Sequence, residues 1–218
     1  MKRIILALVF FCGIPTCLFA VDGQVLINQA TVNAAGGFPY KITQPGSYKL
    51  SGNLTLATSL TPNYFGMDVG IVIAANNVTL DLGGFSITVN DTFGTQLGHP
   101  FYGIAESGSF TQVTIQNGMV RMTTNTNRIV LTAINMPSSI ATTFQALNLV
   151  GKAPILDVAP PEPTLLITGP DSFVNHVVAP GAIRLTCPSM AVDNVANIEQ
   201  SGSGCVVVNS MNSLVLPF

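Results

Sequence analysis

The stretch at residues 76–89, NNVTLDLGGFSITV, decides the fold. From Val78 onward apolar and polar residues alternate, with Val78, Leu80 and Leu82 on one side and Thr79 and Asp81 on the other. A period of two is that of a β-strand, whose successive side chains point to opposite faces. Gly83 and Gly84 interrupt the run, as glycine does where a strand bends. Alternation then resumes, with Phe85, Ile87 and Val89 expected to point inward again.

The pattern recurs. Residues 78–88 (VTLDLGGFSIT) align with residues 113–123 (VTIQNGMVRMT) without a gap, at an offset of 35 (113 − 78). Self-similarity at a spacing of 20 to 50 residues is the signature of a solenoid. Two strands meeting at a corner cannot bury their apolar side alone, so each copy needs a stacked neighbour. This alignment places Leu80 over Ile115 inside, and Asp81 over Gln116 and Ser86 over Arg121 outside. Short β-branched runs at residues 71–73, 129–131, 165–168, 183–186 and 205–208 fit the same architecture, and Gly, Asn, Pro or Ser bounds most of them.

Residues 42–56 (ITQPGSYKLSGNLTL), 71–87 (IVIAANNVTLDLGGFSI) and 110–122 (FTQVTIQNGMVRM) resemble the opening coils of right-handed parallel β-helix proteins. These form the pectate-lyase-like superfamily, found in many secreted bacterial proteins. The resemblance covers about residues 42–122 and thins after Arg128. It implies an all-β, single-domain, right-handed parallel β-helix, and only loosely a carbohydrate-related activity, because a fold does not fix a function.

Residues 1–20 have the layout of a secretory signal peptide. Lys2 and Arg3 precede an apolar run at residues 4–11, and Ala20 closes the segment before Val21-Asp22. Gly13 and Pro15 interrupt the run, which falls short of the ~20 apolar residues a membrane span requires. Lipidation at Cys17 is an alternative with a poor lead-in, Pro15-Thr16. The expected mature chain is exported, extracellular or periplasmic, with no membrane span. It comprises residues 21–218 as one β-helix domain, with residues 21–41 as a candidate N-terminal cap. The prolines at 160, 161 and 163 cannot donate within a central ladder, so residues 159–163 read as a loop or kink.

Composition narrows the partners. Only 8% of residues are charged, and loss of Lys2 and Arg3 leaves 6 basic residues (8 − 2) against 10 acidic ones. That balance lacks the basic stripe nucleic acid requires. Extracellular polysaccharide is the partner that the β-helix resemblance implies, and no cofactor is implied.

Catalysis by superfamily enzymes would require clustered carboxylates, or two carboxyl groups across one cleft for glycoside hydrolysis. The acids here are dispersed, and His176 reads as an outward strand residue. One weak constellation stands out: Asp81, Asp91, His99 and Arg121, gathered if the loop at residues 90–100 hangs beside the outward face. The leading expectation is a structural, carbohydrate-binding or surface-interaction module; the alternative is a polysaccharide lyase or glycoside hydrolase. Of four cysteines, Cys187 and Cys205 survive signal removal. In an oxidising compartment such a pair most simply forms one disulfide, and metal ligation would require partners at ligand spacing that the sequence does not offer. Asn53, Asn77 and Asn90 each begin an Asn-x-Ser/Thr sequon, a glycan acceptor in a eukaryotic secretory pathway.

Overall fold

The computed structural model describes residues 23–57, 63–90, 100–123, 131–151 and 164–210. The signal-like segment 1–20 and the proline-rich stretch 159–163 lie outside the described residues. Among the described residues the chain is all-β apart from one short helix, and every ladder between the strands is parallel.

The strands stack as three faces. The first comprises β1 (Gln24–Ile27), β3 (Gly46–Leu50), β6 (Val78–Asp81), the starts of β9 (Val113–Thr123), β11 (Thr143–Gly151) and β13 (Ser172–Thr186), then β14 (Ser189–Val192) and β16 (Val206–Val208). The second holds β4 (Leu54–Ala57), β7 (Ser86–Asn90) and the later halves of β9 and β11. The third runs through β2 (Tyr40–Ile42), β5 (Asp68–Ile73), β8 (Phe101–Glu106), β10 (Leu131–Met136), β12 (Thr164–Thr168), the end of β13 and β15 (Val195–Ser201). Parallel ladders between successive passes of the chain are compatible with a solenoid.

Register turns sequence alternation into columns. On the first face Val25, Tyr48, Leu80, Ile115, Phe144, Val174, Ala191 and Val207 lie one above another. Leu80 and Ile115 are therefore stacked neighbours and fully buried, as the repeat predicts. On the third face Ile71, Ile104, Ile134, Leu166, Ile183 and Ile198 form a second buried column. Apart from Val25, which is exposed at the end of the stack, both columns pack into one core. β-Branched and leucine side chains suit these places because each must pack against the pass above and the pass below.

The gapless alignment fails beyond the corner. Ser86 pairs with Met119 and Thr88 with Arg121, an offset of 33 (119 − 86), so Arg121 sits beside Thr88 and not Ser86. Four residues separate Asp81 from Ser86 and only two separate Gln116 from Met119, so the later pass turns more tightly. The change is even, so inward and outward assignments survive it.

The turns themselves stack. Asn77, Gln112, Ala141 and Asp171 hold φ of +54° to +58° at the entrance to the first face. Gly83, Asn117, Ala146, His176, Asp193 and Asn209 hold +50° to +60° at its exit. His176, an exposed residue of β13 as the alternation predicts, also stands at this corner. Only glycine adopts this left-handed conformation freely, and Asn and Asp tolerate it better than most. The backbone ladder continues through both corners: the Asn77 amide donates to the Thr111 carbonyl (3.0 Å) and the Asp193 amide to the Val208 carbonyl (3.0 Å).

At the N-terminal end, α1 (Gln29–Ala34) follows β1, a helix the alternation does not foretell. Asn28 caps it by accepting from the Thr31 amide at 3.0 Å, and Val32 enters the core. On the third face the ladder skips Gly70, Gly103 and Ala133, all turned toward the core. A Cβ on Gly103 would overlap Val120 and approach the Ala133 carbonyl at 2.8 Å. Truncating Leu80 or Ile115 to Ala should cost about 2–5 kcal/mol, and Gly103→Ala about 1–3 kcal/mol through overpacking. Outward Thr79→Ala and Thr114→Ala should stay within about 0.5 kcal/mol. Denaturant titration checks the contrast, and equal losses inside and outside would refute the assigned strand phase.

Cys187, just after β13, and Cys205, just before β16, stand at disulfide distance with Cα atoms 5.0 Å apart. They stand 18 positions apart in sequence across the last passes, where the stack has few further neighbours among the described strands. Closing that loop should stabilise the fold by about 3 kcal/mol in the chain-entropy model. The native protein should show no titratable thiol at this pair, and reduction should lower the denaturation midpoint without removing the β-sheet signal.

Candidate functional site

Asp81 ends β6 on the outward side of the first face, between Lys49 and Gln116 in register. Its Oδ1 accepts from the Gly83 amide at 2.8 Å, so the carboxylate braces the corner. Arg121 lies past the Asn117 corner, on the second face, where its Nη2 reaches the Met119 sulfur at 3.5 Å. The corner therefore separates the two side chains onto different faces. Asp91 and His99 lie outside the described residues.

Other acids have structural partners. Glu106 accepts from the Ser138 amide at 2.6 Å and from the Ser139 hydroxyl, tying one pass to the next. Glu199 pairs with Arg184 at 2.9 Å, and Asp193 stands 3.9 Å from His176 at the corner. Among the described residues no group of three or more His, Cys, Asp or Glu side chains could hold a metal ion.

The sequon asparagines also work locally. Asn53 accepts from the Ser86 amide at 2.9 Å and Asn90 from the Thr123 hydroxyl at 2.6 Å, while Asn77 occupies a left-handed corner.

A different set of residues converges on the outer side of the third face. Tyr64 and Met67 close a small loop ahead of β5 through a pair of backbone hydrogen bonds of 2.9 and 2.8 Å. With Tyr102 of β8 they cover a satellite apolar cluster of Val69, Val72 and Ala105. Lys41, the register partner of Val72, places its Nζ 5.4 Å from the centre of the Tyr64 ring. That is within cation–π range. Phe65 meets Tyr64 edge to face, with ring centres 4.7 Å apart.

Phe65 is 87% exposed and held at φ +42°. A bulky residue at positive φ carries backbone strain, and here that conformation ends in an apolar ring presented to solvent. Beside Lys41 lies a depression of about 430 Å³ lined by Ala35, Phe38, Pro39, Tyr40 and Lys41. Aromatic edges, one ammonium and an adjoining hollow thus occupy one neighbourhood. Sequence inspection missed it because Tyr64, Tyr102 and Lys41 come from different passes separated by unequal lengths of chain.

Comparison with protein-family models, with curated proteins and with solved structures finds no match.

Burial raises the Tyr102 phenol above its ordinary value of 10.0. Burial, followed by the neighbouring Tyr40, raises Tyr48, whose hydroxyl donates to the Gln44 carbonyl at 2.8 Å. A phenol whose folded pKa is raised contributes stability that is fully present below about pH 10 and is lost as pH rises through the folded value. Ultraviolet titration should therefore show a late-ionising component that the paired Tyr48→Phe and Tyr102→Phe substitutions remove. Uniform titration of all tyrosines near 10 would contradict the burial of these two.

Proposed function

We propose that this chain is a right-handed parallel β-helix, of the pectate-lyase-like kind, that acts as an exported polysaccharide-binding module. Right-handedness follows from the general rule that crossovers between parallel strands are right-handed in about 98% of cases. The helix α1 serves as the N-terminal cap in this reading, since Val32 fills the core at the first pass.

One observation carries the binding reading: Phe65, 87% exposed at a left-handed φ, stands beside Tyr64 and Lys41. Aromatic faces stack on the apolar faces of sugar rings, and an ammonium at the edge bonds hydroxyl or carboxylate oxygens. A loop braced on a parallel sheet holds such a platform without large ordering losses on binding. The described acids favour binding over bond cleavage, because Asp81, Glu106 and Glu199 are engaged by their own neighbours.

Retention on immobilised acidic and neutral polysaccharides, scored together with release of cleaved product, tests the proposal. The exported protein should be retained without cleavage. Tyr64→Ala and Phe65→Ala should each weaken binding by about tenfold, the equivalent of about 1.4 kcal/mol, and Lys41→Ala should weaken acidic polymers more than neutral ones. Retention unchanged by all three substitutions would place binding elsewhere, and product release would move the chain into the enzyme class.

A further inference from the structure

The two ends of the stack match each other. At the first pass β1 pairs only with β3, and at the last β16 pairs only with β14, among the described strands. Among the described residues each is therefore an edge, with one side of its backbone open to another strand. Natural edges are usually guarded by charge, proline or a bulge. β1 reads QVLI and β16 reads VVV, so neither carries a charge or a proline.

The side chains continue the same rows. Val25 opens the inward column that Val207 closes, and Leu26 opens the outward row of Lys49, Asp81, Gln116, Gln145, Asn175, Val192 and Val208. Val25 is 43% and Leu26 54% exposed at one end, and Val206 46% and Val208 40% at the other. Outward residues that are polar along the middle of the first face, such as Thr79, Thr114 and Thr143, give way in the same row to Phe173, Met190 and Val206 near the last pass.

Charge distinguishes the ends as well. Residues 23–57 carry Lys41 and Lys49 and no acid, for +2. Residues 164–210 carry Asp171, Asp193 and Glu199 against Arg184, for −2 with His176 neutral. Opposite signs at the two ends favour head-to-tail approach and oppose head-to-head or tail-to-tail pairing.

We infer that a second copy of this chain docks head to tail, with β16 of one copy pairing in parallel with β1 of the next. The register that continues every row sets Val206 against Gln24, Val207 against Val25 and Val208 against Leu26. Such a contact joins two different surfaces, so it leaves a free end after each addition and propagates as an open chain of copies. This inference rests on the stacked passes alone and is independent of sugar binding.

Sedimentation of the secreted protein over a range of concentrations, with two end-blocking variants, tests it. Leu26→Lys and Val208→Lys both alter exposed outward positions, so each should keep the wild-type circular dichroism and the Cys187–Cys205 bond. The wild type should grow in mass by successive whole copies as concentration rises, and each variant alone should remain a monomer. An equal mixture of the two should form a one-to-one dimer and stop there, because only one intact head and one intact tail remain. A wild type that stays monomeric throughout, its edges covered by its own terminal residues, would overturn the inference. So would a wild type that stops at a dimer, or folded variants whose mixture fails to pair.

Discussion

A backbone amide or carbonyl buried without a partner is costly, and this chain meets that constraint by bonding each pass to the next, around the corners as well as along the strands. At one corner the Asn77 amide reaches the Thr111 carbonyl; at the other the Gly84 amide reaches the Asn117 carbonyl at 2.7 Å. Side chains complete the ladder where the backbone leaves it. Asn76 accepts from the Thr111 amide, Asn194 from the Val177 amide, and Ser172 and Ser189 bond across the buried corner of the later passes. Ionic contributions are minor by comparison. The Arg184–Glu199 pair is partly exposed, and such pairs contribute at most about 1 kcal/mol.

Ladder continuity restricts what may stand at each place. Inward positions carry mostly Val, Ile, Leu or Phe because successive passes pack side chain on side chain. Corners require left-handed backbone, and the chain supplies it with Gly83, Asn117, Asp193 and Asn209, but also with Ala146 and His176, which adopt it at a cost. The connections between faces are free of these demands. They differ in length from pass to pass, and one of them lifts Tyr64 and Phe65 onto the outer side of the third face.

Much of this was legible where two passes resemble each other. The alternation in residues 78–82 and 113–116 gives the correct strand phase, the stacking of Leu80 on Ile115 and the outward pairing of Asp81 with Gln116. Legibility ended at the glycines. One pass turns through Gly83 and Gly84 and the next through Asn117, so a gapless alignment misplaced Arg121 by two positions. Later passes shorten further: Thr114 pairs with Thr143, an offset of 29 (143 − 114), and Phe173 with Met190, an offset of 17 (190 − 173). A repeat defined by ladder register rather than by length leaves little trace in the spacing of residues. Asp81 and Arg121 fall on opposite sides of the corner that the glycines mark, and the two-position slip carries Arg121 further past it. The aromatic neighbourhood was hidden because no periodicity links Lys41, Tyr64 and Tyr102.

Stacking itself is tested most directly by a distance that spans several passes. Ser47 and Phe173, far apart in sequence, lie in one outward row, four steps apart through Thr79, Thr114 and Thr143. At about 4.8 Å per step the backbone separation is about 19 Å. Spin labels at these two positions, measured by pulsed dipolar spectroscopy on magnetically diluted protein, should give one narrow distribution centred close to that separation. A broad distribution, or a mean more than half as long again, would contradict the stacked parallel passes from which the core, the corners and the ends all follow.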